Sequence, residues 1–370
     1  MGKTLLGIIL SVIVAAGVIF LFFMKRDVGM TSTAVPDTPI PPVTAAGPVP
    51  DARTAELAEE VRNKGWIAYC ARGENGTWDL IVSRPDGSDK KNLTNTPDYE
   101  EAAPRFTIDG SKMLYRRMAK SAVIDHDLWG FQGELMIAEG SGANAIPFGG
   151  DGEFAWASWS PDGRRILCLT KKDIEIVDVA TKQVVRSLSR HGIYQQLFWS
   201  PDGLWFTGTA NHAGRQWCVV RMNAETGEVN PILTFQSCTP DWFPDSEHII
   251  FSSRPANQSP TNSYGWSQLY MADGEGKNVE LIYGEDGYHI YGGALSPDGQ
   301  YVVFTKCPED GGGSEKSGAP IGIMRLSDAP TIGGESPDLR RAHPQTKDGP
   351  VLMLEAGWEP AWTFAEIGGN

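Results

Sequence analysis

Trp159-Ser160-Pro161-Asp162-Gly163 recurs further along the chain as Trp199-Ser200-Pro201-Asp202-Gly203. Weaker copies are Phe106-Thr107-Ile108-Asp109-Gly110, Trp242-Phe243-Pro244-Asp245-Ser246 and Leu295-Ser296-Pro297-Asp298-Gly299. In this pattern the serine hydroxyl caps a tight turn, proline fixes φ, aspartate bonds locally and glycine accepts a positive φ. Each copy therefore predicts that one strand ends at the aromatic or leucine residue and that the next begins just after the turn.

Further short apolar segments follow each copy. We predict third strands at residues 79–83, 134–138, 174–179, 217–222, 268–272 and 321–326. Shorter fourth strands are predicted at residues 91–94, 145–148, 184–188, 231–234, 279–282 and 351–354. Four antiparallel strands per repeat of about 40–50 residues are typical of a propeller blade.

The two ends of the chain complement each other. Pro360-Ala361-Trp362 matches Thr239-Pro240-Asp241-Trp242 as a further inner strand, but no strands follow it. The missing partners occur at residues 66–70, 79–83 and 91–94, near the start. We therefore predict an all-β fold, a six-bladed β-propeller over residues 65–370 whose closing blade is shared by both ends. Such closure removes an open sheet edge.

The repeats resemble those of the TolB-like (WD40-like, PD40) propeller family. The resemblance rests on Asp79-Leu80-Ile81-Val82, Pro85-Asp86-Gly87, Asn92-Leu93-Thr94 and the two Trp-Ser-Pro-Asp-Gly copies, within residues 64–366. It implies a binding scaffold of the cell envelope. TolB itself carries an additional N-terminal α/β domain, which this sequence does not show. Peptidases with similar propellers carry a hydrolase domain with a G-x-S-x-G motif, which is also missing, so we predict no enzyme activity.

The N-terminal region predicts a membrane anchor. Residues 4–24 carry no charge and are mostly apolar, long enough for a transmembrane helix, so we assign residues 1–26 to an uncleaved anchor. Gly7, Ser11 and Ala15 have the small-residue spacing that would allow a weak helix dimer. Residues 27–50 form a Pro-rich linker, and residues 51–64 a short helix with Asp51 as N-cap.

Charge and cysteine content limit the partners and the compartment. A formal net charge of −14 argues against nucleic acid and favours basic proteins, peptides or divalent cations. We expect a single-pass protein of the cytoplasmic membrane with its propeller on the periplasmic side, as the resemblance implies. The opposite orientation stays open, because Lys25 and Arg26 follow the apolar segment. Five cysteines without CxxC spacing predict buried thiols outside any disulfide framework.

The candidate ligand-binding residues lie where the predicted inner strands begin, because these crossovers surround one mouth of the central channel. We call this set the strand-start rim: Tyr99, Glu101, Glu153, His191, Tyr194, His289, Tyr291, Trp358 and Glu359. Carboxylates, aromatic rings and two histidines converge there from different blades. We predict that a protein or peptide partner binds at this rim, and we predict no catalytic residue.

An alternative is a metal-dependent, carbohydrate-active enzyme. Resemblance to oligogalacturonide lyases, which hold a metal at the centre of a related propeller, implies a divalent cation at the channel mouth. Its ligands here would be His191 and His289 with Glu101, Glu153 or Glu359. The remaining histidines lie elsewhere in the sequence, and two histidines with scattered carboxylates are more typical of a solvated rim. We therefore predict no metal ligand and no cofactor.

Overall fold

The structure, a computed structural model, describes residues 51–122, 131–232, 236–253, 267–285, 288–308, 319–329 and 349–367. The predicted membrane anchor, with Gly7, Ser11 and Ala15, and the Pro-rich linker lie outside these ranges. Within them, no helix combines the length and apolar character that crossing a bilayer requires. The described chain begins with helix α1 (Ala52–Val61), followed by β1 (Trp66–Arg72), β2 (Trp78–Ser83) and β3 (Lys91–Asn92).

Four antiparallel sheets of four strands follow, each in chain order. The first contains β4 (Tyr99–Phe106), β5 (Lys112–Ala119), β6 (Glu134–Glu139) and β7 (Ile146–Pro147). The second contains β8 (Trp156–Trp159), β9 (Arg165–Leu169), β10 (Asp173–Asp178) and β11 (Val184–Ser189). The third contains β12 (Ile193–Trp199), β13 (Trp205–His212), β14 (Arg215–Asn223) and β15 (Val229–Pro231). The fourth contains β16 (Ser237–Trp242), β17 (His248–Ser253), β18 (Gln268–Asp273) and β19 (Glu280–Tyr283).

The remaining strands form one seven-stranded sheet. Its order is β20 (Tyr288–Leu295), β21 (Tyr301–Pro308), β22 (Ala319–Arg325), β23 (Leu352–Thr363), and then β1, β2 and β3. The first half of β23 pairs with β22, with Met353 opposite Gly322, and its second half pairs with β1, with Trp362 opposite Ile67. The predicted six-bladed propeller is therefore found in part, because four separate four-stranded sheets form and the remaining strands belong to one sheet. Here β23 stays extended between its two partners, so that no break divides the seven strands.

The innermost strands close a ring. In chain order they are β4, β8, β12, β16, β20 and the second half of β23; each packs against the next, and β23 packs against β4. Indole groups reinforce two of the junctions. The Nε1 of Trp159 donates to the carbonyl of Arg105 at 3.2 Å, and that of Trp242 donates to the carbonyl of Phe198 at 3.3 Å. The chain therefore has an all-β propeller fold.

The repeated turns have the predicted hydrogen bonds. The Ser160 hydroxyl donates to Asp162 Oδ1 at 2.6 Å and accepts from the backbone N–H of Arg165 at 2.9 Å. Gly163 has a φ of 65°. The same hydroxyl-to-aspartate bond, also 2.6 Å long, occurs at Thr107, Ser200 and Ser296. This local network fixes where each inner strand ends, as the sequence pattern predicted.

Helix α1 lies against the seven-stranded sheet. Asp51 accepts from the backbone N–H of Thr54 at 2.9 Å and caps the helix, as predicted. Leu57 and Val61 are fully buried in a cluster with residues of β1, β21, β22 and β23. Glu60 accepts two bonds from Arg325 Nε at 3.0 and 3.1 Å, so the helix also bonds to the β22 part of the sheet.

Apolar side chains between adjacent sheets form the core. Trp78 and Trp358 are fully buried there and stack with ring centroids 4.7 Å apart. All five cysteines lie among the described residues, and no disulfide joins them. Four are buried, whereas Cys238 is half-buried. The prediction of buried thiols therefore holds for four of the five.

Candidate functional site

A cavity of about 470 Å³ lies at the centre of the ring of inner strands. All six inner strands, or the turns that follow them, contribute to its wall. The lining residues fall in six segments: 105–108, 156–161, 196–201, 239–244, 291–297 and 358–362. We call this space the central cavity. Its volume is that of a typical small-molecule or peptide side-chain pocket, about 300–1,000 Å³.

One position of the repeat forms the middle of the cavity wall. It is the residue just before the aromatic or leucine residue that ends each inner strand. Around the ring these residues are Arg105, Ser158, Phe198, Asp241, Ala294 and Ala361, and all of them line the cavity. Because the six strands follow one another around the ring, Arg105 and Asp241 belong to strands on opposite sides. The middle layer therefore has one cation, one anion, one aromatic ring and three small side chains.

Backbone bulges set the position of this layer. Five inner strands have a residue with a left-handed φ: Ala103, Gln196, Thr239, Gly292 and Glu359. The strand register shifts beside each of them, for example between Ala102 and Arg105 and between Cys238 and Asp241. A bulge inserts an extra residue and re-aims the side chains that follow. The lining residue of the middle layer comes two positions after each bulge residue.

Four of the bulge residues also line the cavity, towards its inner end: Gln196, Thr239, Gly292 and Glu359. Gln196 Oε1 accepts from the backbone N–H of Thr239 at 2.9 Å and from the Thr209 hydroxyl at 2.7 Å. The Thr239 hydroxyl accepts from the backbone N–H of Gly292 at 3.3 Å and donates to Ser252 at 2.8 Å. These bonds connect β12, β16 and β20, so this part of the wall is a fixed polar network.

The outer end of the cavity lies at the turns. Ile108, which is 63% exposed, lines the cavity together with the exposed prolines Pro244 and Pro297. At the other end, Trp156 and Trp358 are buried. We therefore place the opening where the inner strands end, at the Ser-Pro-Asp-Gly turns, and its rim is apolar.

The carboxylate of Asp241 has little compensation from its surroundings. Its Oδ1 accepts from the backbone N–H of Trp242 at 2.7 Å. No salt bridge to this carboxylate occurs among the described residues. Burial raises the pKa of Asp241 to about 6, although the hydrogen bond from Trp242 and the charge of Arg105 both lower it. A carboxyl group with a pKa raised by burial in a concave site is a candidate functional group.

The other charged side chains of the cavity wall are Arg105 and Glu359. Arg105 directs its Nη1 to the backbone carbonyls of Pro104, at 2.6 Å, and Glu359, at 3.3 Å. Its guanidinium also packs over the Phe198 ring at 5.0 Å. The guanidinium of Arg105 is thus bonded to the cavity wall itself. The wall contains two acidic side chains, Asp241 and Glu359, and one basic side chain.

Three of the nine residues of the strand-start rim line the central cavity, namely Tyr291, Trp358 and Glu359. The other six do not. Tyr99 is exposed, and the guanidinium of Arg117 lies over its ring, 4.8 Å from the ring centre. Glu153 is exposed and accepts a hydrogen bond from the backbone N–H of Gly150. His191 is exposed and Tyr194 is half-buried.

Glu101 and His289 are buried. Glu101 accepts from the Thr96 hydroxyl at 2.6 Å, and burial raises its pKa to about 7. His289 Nδ1 lies 2.5 Å from the Ser267 hydroxyl, and its ring stacks on Tyr291. Both side chains therefore take part in the packing between strands, away from the lining of the cavity.

The residues named for the metal alternative do not fit a metal site. Across the described residues, no group of three or more His, Cys, Asp or Glu side chains has a metal-binding arrangement. His191 and His289 belong to different environments, because the first is exposed and the second is buried against Ser267. We therefore derive no chemistry through a metal.

Asp241 and Arg105 were not among the predicted site residues. A signal was available, since Ala103, Thr239 and Glu359 each precede a proline within an inner strand. Proline cannot donate to a strand ladder and is typical of bulges and edges. Such a proline indicates a bulge, and the residue after it then lines the cavity.

The chain is thus a β-propeller with a central cavity large enough for a ligand. TolB from Acinetobacter baumannii superposes with a TM-score of 0.54 and 19% identity, over 82% of this chain and 67% of that chain. A TolB structure from Agrobacterium tumefaciens gives a TM-score of 0.51 and 18% identity, over 79% and 90%. The chain therefore has the TolB-like propeller fold, as the sequence resemblance predicted.

The structure of an oligogalacturonate lyase in complex with manganese superposes less well. Its TM-score is 0.41 at 15% identity, over 70% of this chain and 69% of that chain, which is too low to support an argument about function. No protein-family model matches the sequence, and no curated protein matches it either.

Proposed function

We propose that this chain is a TolB-like binding scaffold that holds part of a protein or peptide partner in the central cavity and catalyses no reaction itself. The observation that carries this proposal is the central cavity, of about 470 Å³, with wall residues from all six inner strands. A concave, mostly apolar site with a few convergent polar groups is the default binding site of a protein. The apolar rim at the turns would accept the flanking residues of the partner.

The proposal includes a six-bladed architecture. We interpret the seven-stranded sheet as two blades that share β23, so that six inner strands correspond to six blades. The pairing of β23 with β1 would then join both ends of residues 65–370 in the closing blade. Such a ring holds the cavity wall in place, since each inner strand packs on two neighbours.

The proposal also includes a tether to the membrane. Residues 4–24 would span the cytoplasmic membrane, and the Pro-rich residues 27–50 would hold the propeller away from it on the periplasmic side. Alkaline phosphatase, which is active only where disulfides form, and green fluorescent protein can each be fused after Asn370. High phosphatase activity supports this orientation. Bright fluorescence with inactive phosphatase would place the propeller in the cytoplasm instead.

Peptide selection tests the binding function. Random peptides displayed on phage are selected on the wild-type protein and on Ala294→Trp, in which an indole fills the middle of the cavity. Val185→Trp is the matched control, because Val185 lies on the exposed outer strand β11. We expect peptides that bind wild type and Val185→Trp but not Ala294→Trp. Equal recovery on all three folded proteins would contradict binding in the cavity.

The absence of catalysis is tested separately. Protein purified without EDTA is analysed for bound metal and assayed for cleavage of oligogalacturonate. We expect neither bound manganese nor cleavage. Manganese bound at one ion per chain and lost in His289→Ala would contradict the proposal and favour the metal-dependent alternative.

A further inference from the structure

The central cavity contains the carboxylate of Asp241, to which none of the described residues forms a salt bridge. Asp241 lines the middle layer and accepts a hydrogen bond from the backbone N–H of its own neighbour, Trp242. The cationic residue that lines the wall, Arg105, directs its Nη1 to the carbonyls of Pro104 and Glu359. Asp241 is half-buried in the cavity wall. A charge that is partly removed from water is costly unless it is paired, so a cation supplied from outside would stabilise this carboxylate.

The sign of the cavity charge supports a cation over an anion. Two acidic side chains, Asp241 and Glu359, and one basic side chain, Arg105, line the wall. An anionic ligand would need Arg105, whose guanidinium is already bonded to two carbonyls and packed over Phe198. An incoming ammonium group would instead meet the Asp241 carboxylate on the opposite side of the ring.

Aromatic rings in the same wall favour the same ligand. The cavity is lined by several of them, including those of Trp199, Trp242 and Tyr291. The faces of such rings attract ammonium and guanidinium groups when water is excluded. A carboxylate together with aromatic faces is therefore a suitable environment for an organic cation with an apolar stem.

The depth of the cavity selects a long side chain. Asp241 lies two residues before Phe243, which occupies the place of the turn serine in this repeat. Two extended residues span about 7 Å, so the backbone of Asp241 lies about that far from the first residue of the turn. A lysine side chain has a comparable length. The peptide backbone could then stay at the apolar rim, against Ile108, Pro244 and Pro297, while the ammonium group reaches Asp241.

We propose that the central cavity recognises a lysine or arginine side chain of an extended partner segment, with the Asp241 carboxylate as the counter-ion and apolar residues of that segment at the rim. This inference rests on the proposed binding function and specifies its ligand chemistry. It assigns the recognition of the cation to one carboxylate. It can therefore be tested by removing one charge from the peptide or one charge from the protein.

The test uses a short acetylated peptide amide of sequence Ala-Pro-Lys-Pro-Ala and its analogue with norleucine in place of lysine. Binding to the full-length protein is measured by calorimetry. We expect the lysine peptide to bind wild type at least about tenfold more tightly than the norleucine peptide, a difference of about 1.4 kcal/mol. Equal affinity of the two peptides would overturn the cation assignment.

The protein-side change is Asp241→Asn, which keeps the shape and removes the charge. We expect it to weaken the lysine peptide by about tenfold or more and to leave the norleucine peptide unchanged. Glu280→Gln is the matched control, because Glu280 is exposed on β19, the far edge of the same sheet. Thermal unfolding of both variants serves as the check that they fold. Equal loss for both peptides would contradict a charge-specific role.

Two further measurements distinguish failure of this inference from failure of the proposed function, and a partner segment from a small free amine as the source of the cation. Ala294→Trp should abolish binding of both peptides. If it does so while the peptides bind wild type equally, the cavity function stands and the cation assignment fails. Butylammonium is tested alone: binding as tight as that of the lysine peptide would identify a site for small free amines and overturn the assignment to a partner segment.

Discussion

The indole Nε1 of Trp159 lies 3.2 Å from the carbonyl oxygen of Arg105 and donates to it. Trp159 ends β8, whereas Arg105 lies near the end of β4, so the bond joins two neighbouring sheets. The carbonyl belongs to a residue whose side chain lines the central cavity. The tryptophan of the repeated sequence thus holds the cavity wall together, while the residue before it forms that wall.

Replacing this tryptophan should loosen the junction between the sheets. Trp159→Phe keeps an aromatic ring but leaves the Arg105 carbonyl without the indole donor, and we expect a loss of about 1–3 kcal/mol in the free energy of unfolding. Urea unfolding measures it. Trp199→Phe is the matched control, because that indole donates to Gly203 within its own turn at 3.0 Å. A loss for Trp159→Phe no larger than that of the control would contradict a role of the bond between sheets.

Removing the charge of Asp241 should stabilise the protein at neutral pH. Burial raises its pKa to about 6, above the value of about 3.9 in an unfolded chain. Ionised Asp241 therefore destabilises the fold above pH 6, and the cost disappears as the pH falls through 6 towards 4. We expect Asp241→Asn to gain about 1–2 kcal/mol at pH 7.5 and little at pH 4.5, as measured by urea unfolding. A gain that does not depend on pH would contradict the assigned burial.

Helix α1 should contribute to stability through Glu60. Hydrogen bonds from Arg325 and Tyr301 lower the pKa of Glu60. Its contribution is therefore complete above the unfolded pKa of about 4.3 and is lost as the pH falls through the lower folded value. We expect Glu60→Gln to cost only about 1 kcal/mol at pH 7, because the side chain is partly exposed. The cost should be smaller at pH 3.5, where part of the contribution of Glu60 is lost. Glu56→Gln, exposed on the same helix, is the control. Equal effects of the two variants in thermal unfolding would contradict the contact.

Closure through β23 should be essential for the fold. Deleting residues 360–370 removes the segment of β23 that pairs with Trp66, Ile67 and Ala68. This exposes the edge of β1, and unpaired strand edges promote aggregation. We expect aggregation or a large fall in melting temperature, whereas deletion of residues 1–50 should change the melting temperature little. A soluble C-terminal truncation with an unchanged melting temperature would contradict closure by this strand.

The turns and the strands that flank them could be predicted because local chemistry determines them. The hydroxyl of Ser160, the carboxylate of Asp162 and the conformational freedom of Gly163 act within one turn. The continuity of β23 could not be predicted in this way. It depends on partners on both sides, β22 and β1, that are distant in sequence.

The prolines within the inner strands indicate bulges, but the backbone conformation of these bulges was beyond local rules. Residues before proline normally adopt an extended conformation, but Ala103, Thr239 and Glu359 have a left-handed φ. The bulges at these residues determine which side chains line the central cavity. The sequence placed the candidate site at the beginnings of the inner strands, whereas the cavity opens at their ends.

Binding in the central cavity can be tested by mapping where a bound peptide lies. The lysine peptide, carrying a benzophenone group on its N-terminal residue, is photo-crosslinked to the full-length protein, and the sites are identified by mass spectrometry. We expect crosslinks at the turn end of the cavity, within residues 105–108, 158–161, 198–201, 239–244 and 291–297. Crosslinks concentrated at Tyr99, Glu153 and His191 would contradict binding in the central cavity and place the ligand at the strand-start rim instead.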